Sequence, residues 1–309
     1  MTSRLKQLRI VDPVLTTLAT GYRNAQYVGE HLFPIAEMVK EAGVIPLFGK
    51  EAFMLWNTER AIRAHSNVMP TADFDTMDVV LREHDLAYPI DYREQSESAF
   101  NEEKKAARRV RDGIDLEREV TIARLAQNPS TYRADGKVTL SGSSQWSNGG
   151  GDPIQVVETG KEAIRQKTGT RPNTAIIGIA AYDSLKFHPK LAAALGANDQ
   201  KLITLQHLKE LWGIENIYIG EALVADDKGV TTNIWGDNVV LANVAKPLTG
   251  QKDDYETPSF GYTLRKQGMP EIDTYNAPGN KVKYVRYTDI YKVAVVGADA
   301  GYLISDTNA

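Results

Sequence analysis

Five histidines, His31, His65, His84, His188 and His207, are the first candidates for metal or acid–base chemistry. No two of them stand in an HExxH frame, and no other ligand spacing links them. The chain has no cysteine, which excludes disulfides and thiolate metal sites. His188 precedes Pro189, a step that reads as a helix C-terminus, where a partial positive charge is welcome. Asp226-Asp227 and Asp253-Asp254 are adjacent carboxylate pairs, and paired carboxylates can bind divalent cations or move protons. Adjacent side chains diverge, however, and both pairs sit in polar loops, so solvated turns are expected. Gly149, Gly150 and Gly151 precede a helix and could cradle a phosphate, but the Gly-Lys-Ser/Thr ending of a phosphate loop is missing. A linker with hinge freedom is expected there, and a turn at Phe48-Gly49-Lys50-Glu51. Ser143 and Ser144 lack the second glycine of a nucleophile elbow. The residues therefore predict no catalytic, cofactor or metal site.

The bulk properties point the same way. The chain has 309 residues, 25% of them charged and 42% hydrophobic, so a sizeable core is available. Its net charge of −4 gives an average field that attracts neither nucleic acid nor acidic lipid. Any contact with DNA must be local and non-specific. No apolar run approaches a membrane span, and MTSRLKQLRIVDPV has basic residues without the apolar stretch of a secretion signal.

The elements that must carry these side chains begin with an arm, residues 1–40. Asp12-Pro13 starts a short helix to Thr20. Val28, Leu32, Phe33, Ile35 and Val39 follow, with Pro34 breaking any helix through them. Such an arm is expected to need a partner surface. Residues 41–92 read as a long hairpin with strands at 44–49 and 77–93 and an irregular tip. An isolated two-stranded ribbon is marginal in water, so other chains must pin it. Phe53 and Trp56 then become candidate anchors between subunits, with packing on the same chain as the competing account.

From Phe100 to Asn128 the pattern predicts one long helix. Glu102, Glu103, Asp112, Asp115, Glu117 and Glu119 balance Lys104, Lys105, Arg108, Arg109, Arg111 and Arg118, so residues 101–120 carry no net charge. The apolar stripe of Phe100, Ala107, Val110, Ile114, Thr121 and Leu125 is narrower than that of a core helix. At 1.5 Å per residue the helix spans roughly 40 Å, which suits a flat molecule or a subunit boundary. The interleaved acids argue against nucleic acid on this helix. Arg108–Asp112 and Arg111–Asp115 are i,i+4 partners instead.

Beyond it, 137–142 reads as a strand. Asp152 and Pro153 open a helix that ends at Gly169. Residues 174–180 read as a buried strand, followed by a short helix broken before Pro189. A helix at 203–213, a strand at 214–224 and two short strands across Gly236-Asp237 complete a compact unit. The tail alternates, with strands at 258–268 and 291–296 and a clear period of two through Val282, Tyr284 and Arg286. No solenoid repeat is visible.

HLFPIAEM, AGVIPLFGKEAF, PNTAIIGIAAYDSLKFHPKL, LKELWGIENIYIGEA, SFGYTLRKQGMPEIDTY and VVGADAGYLIS occur in that order along the chain. In order and content these segments resemble the major capsid proteins of tailed bacteriophages, and the likeness covers nearly the whole chain. The resemblance implies an α+β, Hong Kong 97-like fold. It divides the chain into an N-terminal arm (1–40), an extended hairpin or E-loop (41–92), a peripheral domain (93–150 and 255–309) with a spine helix (99–128), and an inserted axial domain (151–254). It implies a non-enzymatic, cofactor-free protein that self-assembles into hexamers and pentamers of an icosahedral or prolate phage head around double-stranded DNA. The implied partners are sister copies, a separate scaffolding protein because the arm begins almost at Met1, a portal, optionally a decoration protein, and packaged DNA contacted non-specifically. No membrane is involved. The implied location is the virion, with assembly in the host cytoplasm. Phe33, Phe53, Trp56, the Arg63-Ala64 step, Lys104, Arg108, Arg109, Arg111 and Asp115 are the candidate assembly contacts. An encapsulin-like nanocompartment and an α/β enzyme with its pocket in 152–245 are the alternatives.

Overall fold

The computed structural model describes residues 24–47, 53–63, 65–69, 75–98, 101–196, 202–245, 259–279 and 281–309. The expected helix at 14–20, the turn at 48–51, Ala64, Phe100 and the Asp253-Asp254 pair lie outside them.

A 3-10 turn at Gly29–His31 leads through Pro34 into β1 (Ile35–Met38) and β2 (Ala42–Leu47). β3 (Asp75–Val80) pairs antiparallel with β2, Ala42 opposite Val80, and runs on past Leu81 into β4 (Arg82–Asp91). A short helix α1 (Tyr92–Glu97) precedes the long helix α2 (Glu102–Ala126). The Asn101 side chain accepts the Lys104 N–H at 2.9 Å, and Glu102 and Glu103 occupy the first turn, where the helix dipole favours negative charge.

After β5 (Lys137–Thr139), Asp152 accepts the Gln155 N–H and Pro153 starts α3 (Pro153–Thr168). Gly169 ends that helix at φ +74°, a conformation that glycine adopts freely. β6 (Thr174–Gly178) is buried at every residue and is followed by α4 (Ile179–Lys186), α5 (Pro189–Ala194) and α6 (Leu205–Trp212). β7 (Asn216–Gly220), β8 (Leu223–Ala225), β9 (Thr231–Asn233) and β10 (Val239–Ala242) come next. The tail supplies β11 (Gly261–Lys266), β12 (Glu271–Asn276), β13 (Val282–Val295) and β14 (Gly301–Ser305).

Two five-stranded sheets organise these elements. In the first, the order is β1-β11-β13-β12, with β4 paired along the other edge of β13. In the second it is β5-β14-β10-β6-β7. The main core lies between the sheets. It joins Tyr287, Tyr291 and Val293 of the first to Ile176, Val240 and Leu303 of the second, with Val110, Ile114 and Ile122 of α2. A second core fills the far side of the second sheet under α3, α4 and α6, with Val157, Ile164, Leu185, Leu208, Trp146 and Trp212.

Four expectations change. The arm residues Val28, Leu32 and Phe33 are buried in the main core of their own chain and need no partner surface. β5 and β14, expected beside the long helix in the peripheral unit, hydrogen-bond into the second sheet instead. The tail alternation is one 14-residue strand, because β4 and β12 flank its first part and β11 its last part, and together they support it throughout. The buried face of α2 runs through Ala106, Val110, Ile114, Ile122, Ala123 and Ala126, with the carboxylates of Glu102 and Glu119 in line. Ala107, Thr121 and Leu125 are only half-buried. A strict seven-residue repeat drifts off one face of a straight helix, which is why the expected stripe slipped.

Candidate assembly surface

The front of the chain is tied down at one carboxylate. Glu119 of α2 is buried and accepts the backbone N–H of Val28 at 3.1 Å, that of Gly29 at 2.9 Å, and the indole N–H of Trp235 at 2.7 Å. A buried carboxylate costs heavily unless donors surround it, and these donors come from the arm and from the loop before β10. A Cβ on Gly29 would stand 2.6 Å from Glu119 Oε2, so only glycine lets the arm approach this closely. Two turns further on, Gln127 donates to Ile234 O and accepts from Asn238, fixing the end of α2 to the same loop. The Phe33 ring meets Phe260 edge-on at 5.4 Å and lies over Gly261, where a Cβ would come within 2.4 Å of it. Phe33 was expected at a subunit boundary. It is instead fully buried in its own chain, because Gly261 leaves room for the ring.

α2 also grips the first sheet through charge. Arg118 pairs with Asp115 at 3.0 Å and approaches Asp289 at 3.7 Å, while Arg265 of β11 reaches Asp289 at 2.9 Å. Asp289 is fully buried, and burial pushes its carboxyl up against the pull of both arginines. Glu117 accepts the Tyr291 hydroxyl and stands 3.4 Å from His84, whose ring stacks on Tyr291. Lys283 of β13 bonds Glu103 at 2.9 Å and holds that carboxyl below its usual range.

These bonds sort the charges of α2. The expected Arg111–Asp115 pair forms at 3.3 Å, whereas Arg108 and Asp112 do not come within ion-pair distance. Lys104, Arg108 and Arg109 are exposed and, among the described residues, have no ion-pair partner.

The hairpin contrasts with the tethered arm. Leu55 is 99% exposed, Ile62 93% and Val68 87%, and Val39, Val44, Phe53, Met54, Met69 and Val80 are also exposed. Among the described residues, nine of the seventeen exposed large hydrophobic side chains thus lie in 39–80, where a solitary one would need no explanation but a run of them does. Phe53 is exposed yet leans on its own chain, its ring over Gly169. Trp56 is half-buried. Arg63 is exposed in the turn at the tip, at φ +65°. Leu55, Ile62, Val68 and Met69 were not singled out by the sequence, although their place in a segment without a local core was the available signal.

The candidates for chemistry resolve into structural roles. His188 lies between α4 and α5 rather than at an exposed helix end, and is buried. Pro189 starts a new helix there, so the preceding residue takes the N-cap position. Burial, and to a lesser degree Lys190, hold its imidazole below the ordinary value, with Asp152 opposing. His207 closes a capping box with Thr204, and His31 stacks flat on Tyr218 at 3.8 Å. Asp226 accepts the N–H groups of Lys228 and Val230 in the turn between β8 and β9. Gly150 and Gly151 pack against the carbonyls of Ser143 and Ser144, closer than a hinge would allow. Among the described residues no group of three or more histidines and carboxylates could hold a metal. A shallow cavity of about 290 Å³ lies between the arm and β7, lined by Val28, His31, Leu205 and Tyr218, without a converging acid, base and nucleophile.

The chain is similar over nearly its whole length to a phage major capsid protein and to a phage-related protein. The family described as phage major capsid protein E matches residues 29–278. The major capsid protein of Burkholderia phage BcepMu is 51% identical over 305 residues, covering 99% of each chain. The crystal structure of a phage-related protein from Bordetella bronchiseptica RB50 superposes with a TM-score of 0.73 at 33% identity, covering 97% of this chain and 98% of that one. The capsid of Cyanophage P-SCSP1u shares the fold at a TM-score of 0.61 and 8% identity, over 94% and 91% of the two chains. The architecture is the Hong Kong 97-type capsid fold. The sequence relatives favour a phage head over an encapsulin. The chain belongs to the phage major capsid protein E family.

Proposed function

We propose that many copies of this major capsid protein tile a closed head as hexamers and pentamers around packaged double-stranded DNA. The first sheet with α2 acts as the peripheral unit and the second sheet as the axial unit, clustered around the symmetry axes. The hairpin lies over a neighbouring copy, with Phe53, Trp56 and Arg63 in the contact. The observation that carries this reading is the concentration of exposed apolar side chains in 39–80. Burying a Leu or Ile side chain stabilises by about 1.5–3 kcal/mol, and the described residues leave Leu55, Ile62 and Val68 almost bare. Each contact is modest, and repetition around a shell multiplies them. The shell assembles in the host cytoplasm with a separate scaffolding protein and a portal, and a decoration protein is accommodated on the finished surface.

The test removes residues 60–72 and images the product. A soluble, folded chain that builds no regular shells is the expected result. Regular shells from the deletion variant defeat the role given to the hairpin.

A further inference from the structure

The balanced charge of α2 is balanced only in sequence. Five of its six acids are engaged within the chain. Glu102 bonds Ser98 and Lys105, Glu103 bonds Lys283, Asp115 holds Arg111 and Arg118, Glu117 takes the Tyr291 hydroxyl, and Glu119 is buried under the arm. The cations are left over. Lys104, Arg108 and Arg109 are exposed on the first half of the helix, with Arg111 beside them at 65% side-chain exposure although paired. Asp112 is the exposed acid on that face. Three cations without an ion-pair partner among the described residues, against one acid, make this a positive strip on a chain whose net charge is −4.

We infer that the exposed face of α2 around Lys104, Arg108 and Arg109 is the protein's contact for the phosphate backbone of duplex DNA. This rests on the reading of the chain as the shell of a DNA-filled head. Lys104 and Arg108, and then Arg108 and Arg111, are successive neighbours one turn apart, about 5–6 Å between side-chain bases, with Arg109 splayed round the helix beside them, so several phosphates are reached at once. The described part of the hairpin tip, 53–69, has Arg60 and Arg63 against Glu59, and residues 1–23 hold Arg4, Lys6, Arg9 and Arg23 against Asp12, so neither stretch is drawn to this strip. The hairpin as a whole, 41–80, has six acids against three cations and is the competing occupant that the test separates from DNA. A polyanion is attracted through counterion release. The contact reads no sequence, because phosphates carry none.

The test uses the unassembled full chain and a fluorescent 30-bp duplex, with binding followed by anisotropy between 50 and 200 mM salt. The triple variant Lys104→Ala, Arg108→Ala, Arg109→Ala alters exposed positions only. It is expected to weaken binding about tenfold or more and to flatten the log–log salt slope by about three, whatever the duplex sequence. Asp112→Asn is expected to tighten binding. Wild-type chain that ignores the duplex at 50 mM salt overturns the inference. So does a triple variant with unchanged affinity and slope, including one that has lost shell formation and thereby marks the strip as a protein contact. Microscopy of the same samples separates the two readings. Wild-type protein that binds DNA through this strip yet never closes a shell sinks the shell function and not the charge assignment, and normal shells with no DNA effect do the reverse.

Discussion

Residues 24–33 and residues 39–80 both bring apolar side chains ahead of the long helix, yet only the first stretch is roofed by its own chain. Phe33 and Leu32 are completely buried, while Leu55 and Ile62 stand almost wholly in solvent. Hydrophobicity does not separate them. The difference lies in what the rest of the chain provides. Glu119 supplies an acceptor for the arm's N–H groups, and Gly261 vacates space for the Phe33 ring. The hairpin has its β2–β3 ladder and a small cluster at its base, Val79 and Leu81 with Leu264, Ile290 and Ala294, but no comparable cover farther out. The first stretch therefore serves the stability of one protomer, and the second is the one that the proposed shell assigns to another copy.

This comparison assigns opposite consequences to similar truncations. The largest effect belongs to Phe33→Ala. Removing a fully buried aromatic ring leaves a cavity and is expected to cost about 3–5 kcal/mol. Urea unfolding of the unassembled chain measures it, read as a lowered midpoint at unchanged slope. A cost under about 1 kcal/mol would mean that residues 24–33 detach easily, and the distinction between the two stretches would collapse.

Much of the architecture was legible before the structure, and the failures have a common physical origin. Local signals worked. Asp152-Pro153 and Gly169 bounded α3 because cap chemistry is contained in a few neighbouring residues. The strand at 174–178 declared itself by an unbroken apolar run. Non-local pairings did not. β5 and β14 are sequence-remote from the sheet they join, so proximity in the chain assigned them to the wrong sheet. Phe33 was placed at a boundary because its cover, Phe260 and Gly261, comes more than 220 residues later. Glu119 looked like one acid among six, since its partners belong to the arm and to Trp235. Leu55 and Ile62 could have been found by asking which apolar residues of the predicted ribbon had no local strand to cover them.

An intermediate effect is expected beside the second sheet, at a group buried within the single chain. Burial holds His188 below the ordinary imidazole value of 6.5. The unfolded chain therefore takes up a proton near pH 6.5, and the folded chain does so only at lower pH. The stability linked to this group is full above pH 6.5 and is lost progressively as the pH falls from there toward the folded value. Between pH 7.5 and 5.5 the melting temperature of the unassembled chain is expected to fall by on the order of 2–4 °C more in the wild type than in His188→Gln. The Asp152 carboxyl, held below its usual range chiefly by the Gln155 N–H, stays charged over this interval and does not produce the difference. Parallel curves for the two proteins would remove His188 as the cause.

The smallest effect on the protomer falls on the residues to which the proposed shell contact is assigned. Leu55→Ser and Ile62→Ser replace side chains that bury almost nothing in the single chain, so their combined effect on unfolding is expected to stay within about 0.5 kcal/mol. Shell formation should nevertheless fail, or need a much higher protein concentration, because each lost side chain is lost in every copy. Light scattering during assembly gives the threshold, and the unfolding curve of the same sample gives the protomer's stability. If both substitutions instead destabilise the isolated chain by as much as Phe33→Ala, the hairpin folds back on its own protomer in solution, and the two stretches differ in position but not in kind. If stability and assembly are both untouched, the exposed apolar run has another occupant. Only intact protomers without shells preserve the contrast between a segment that its own chain completes and one that a neighbour must complete.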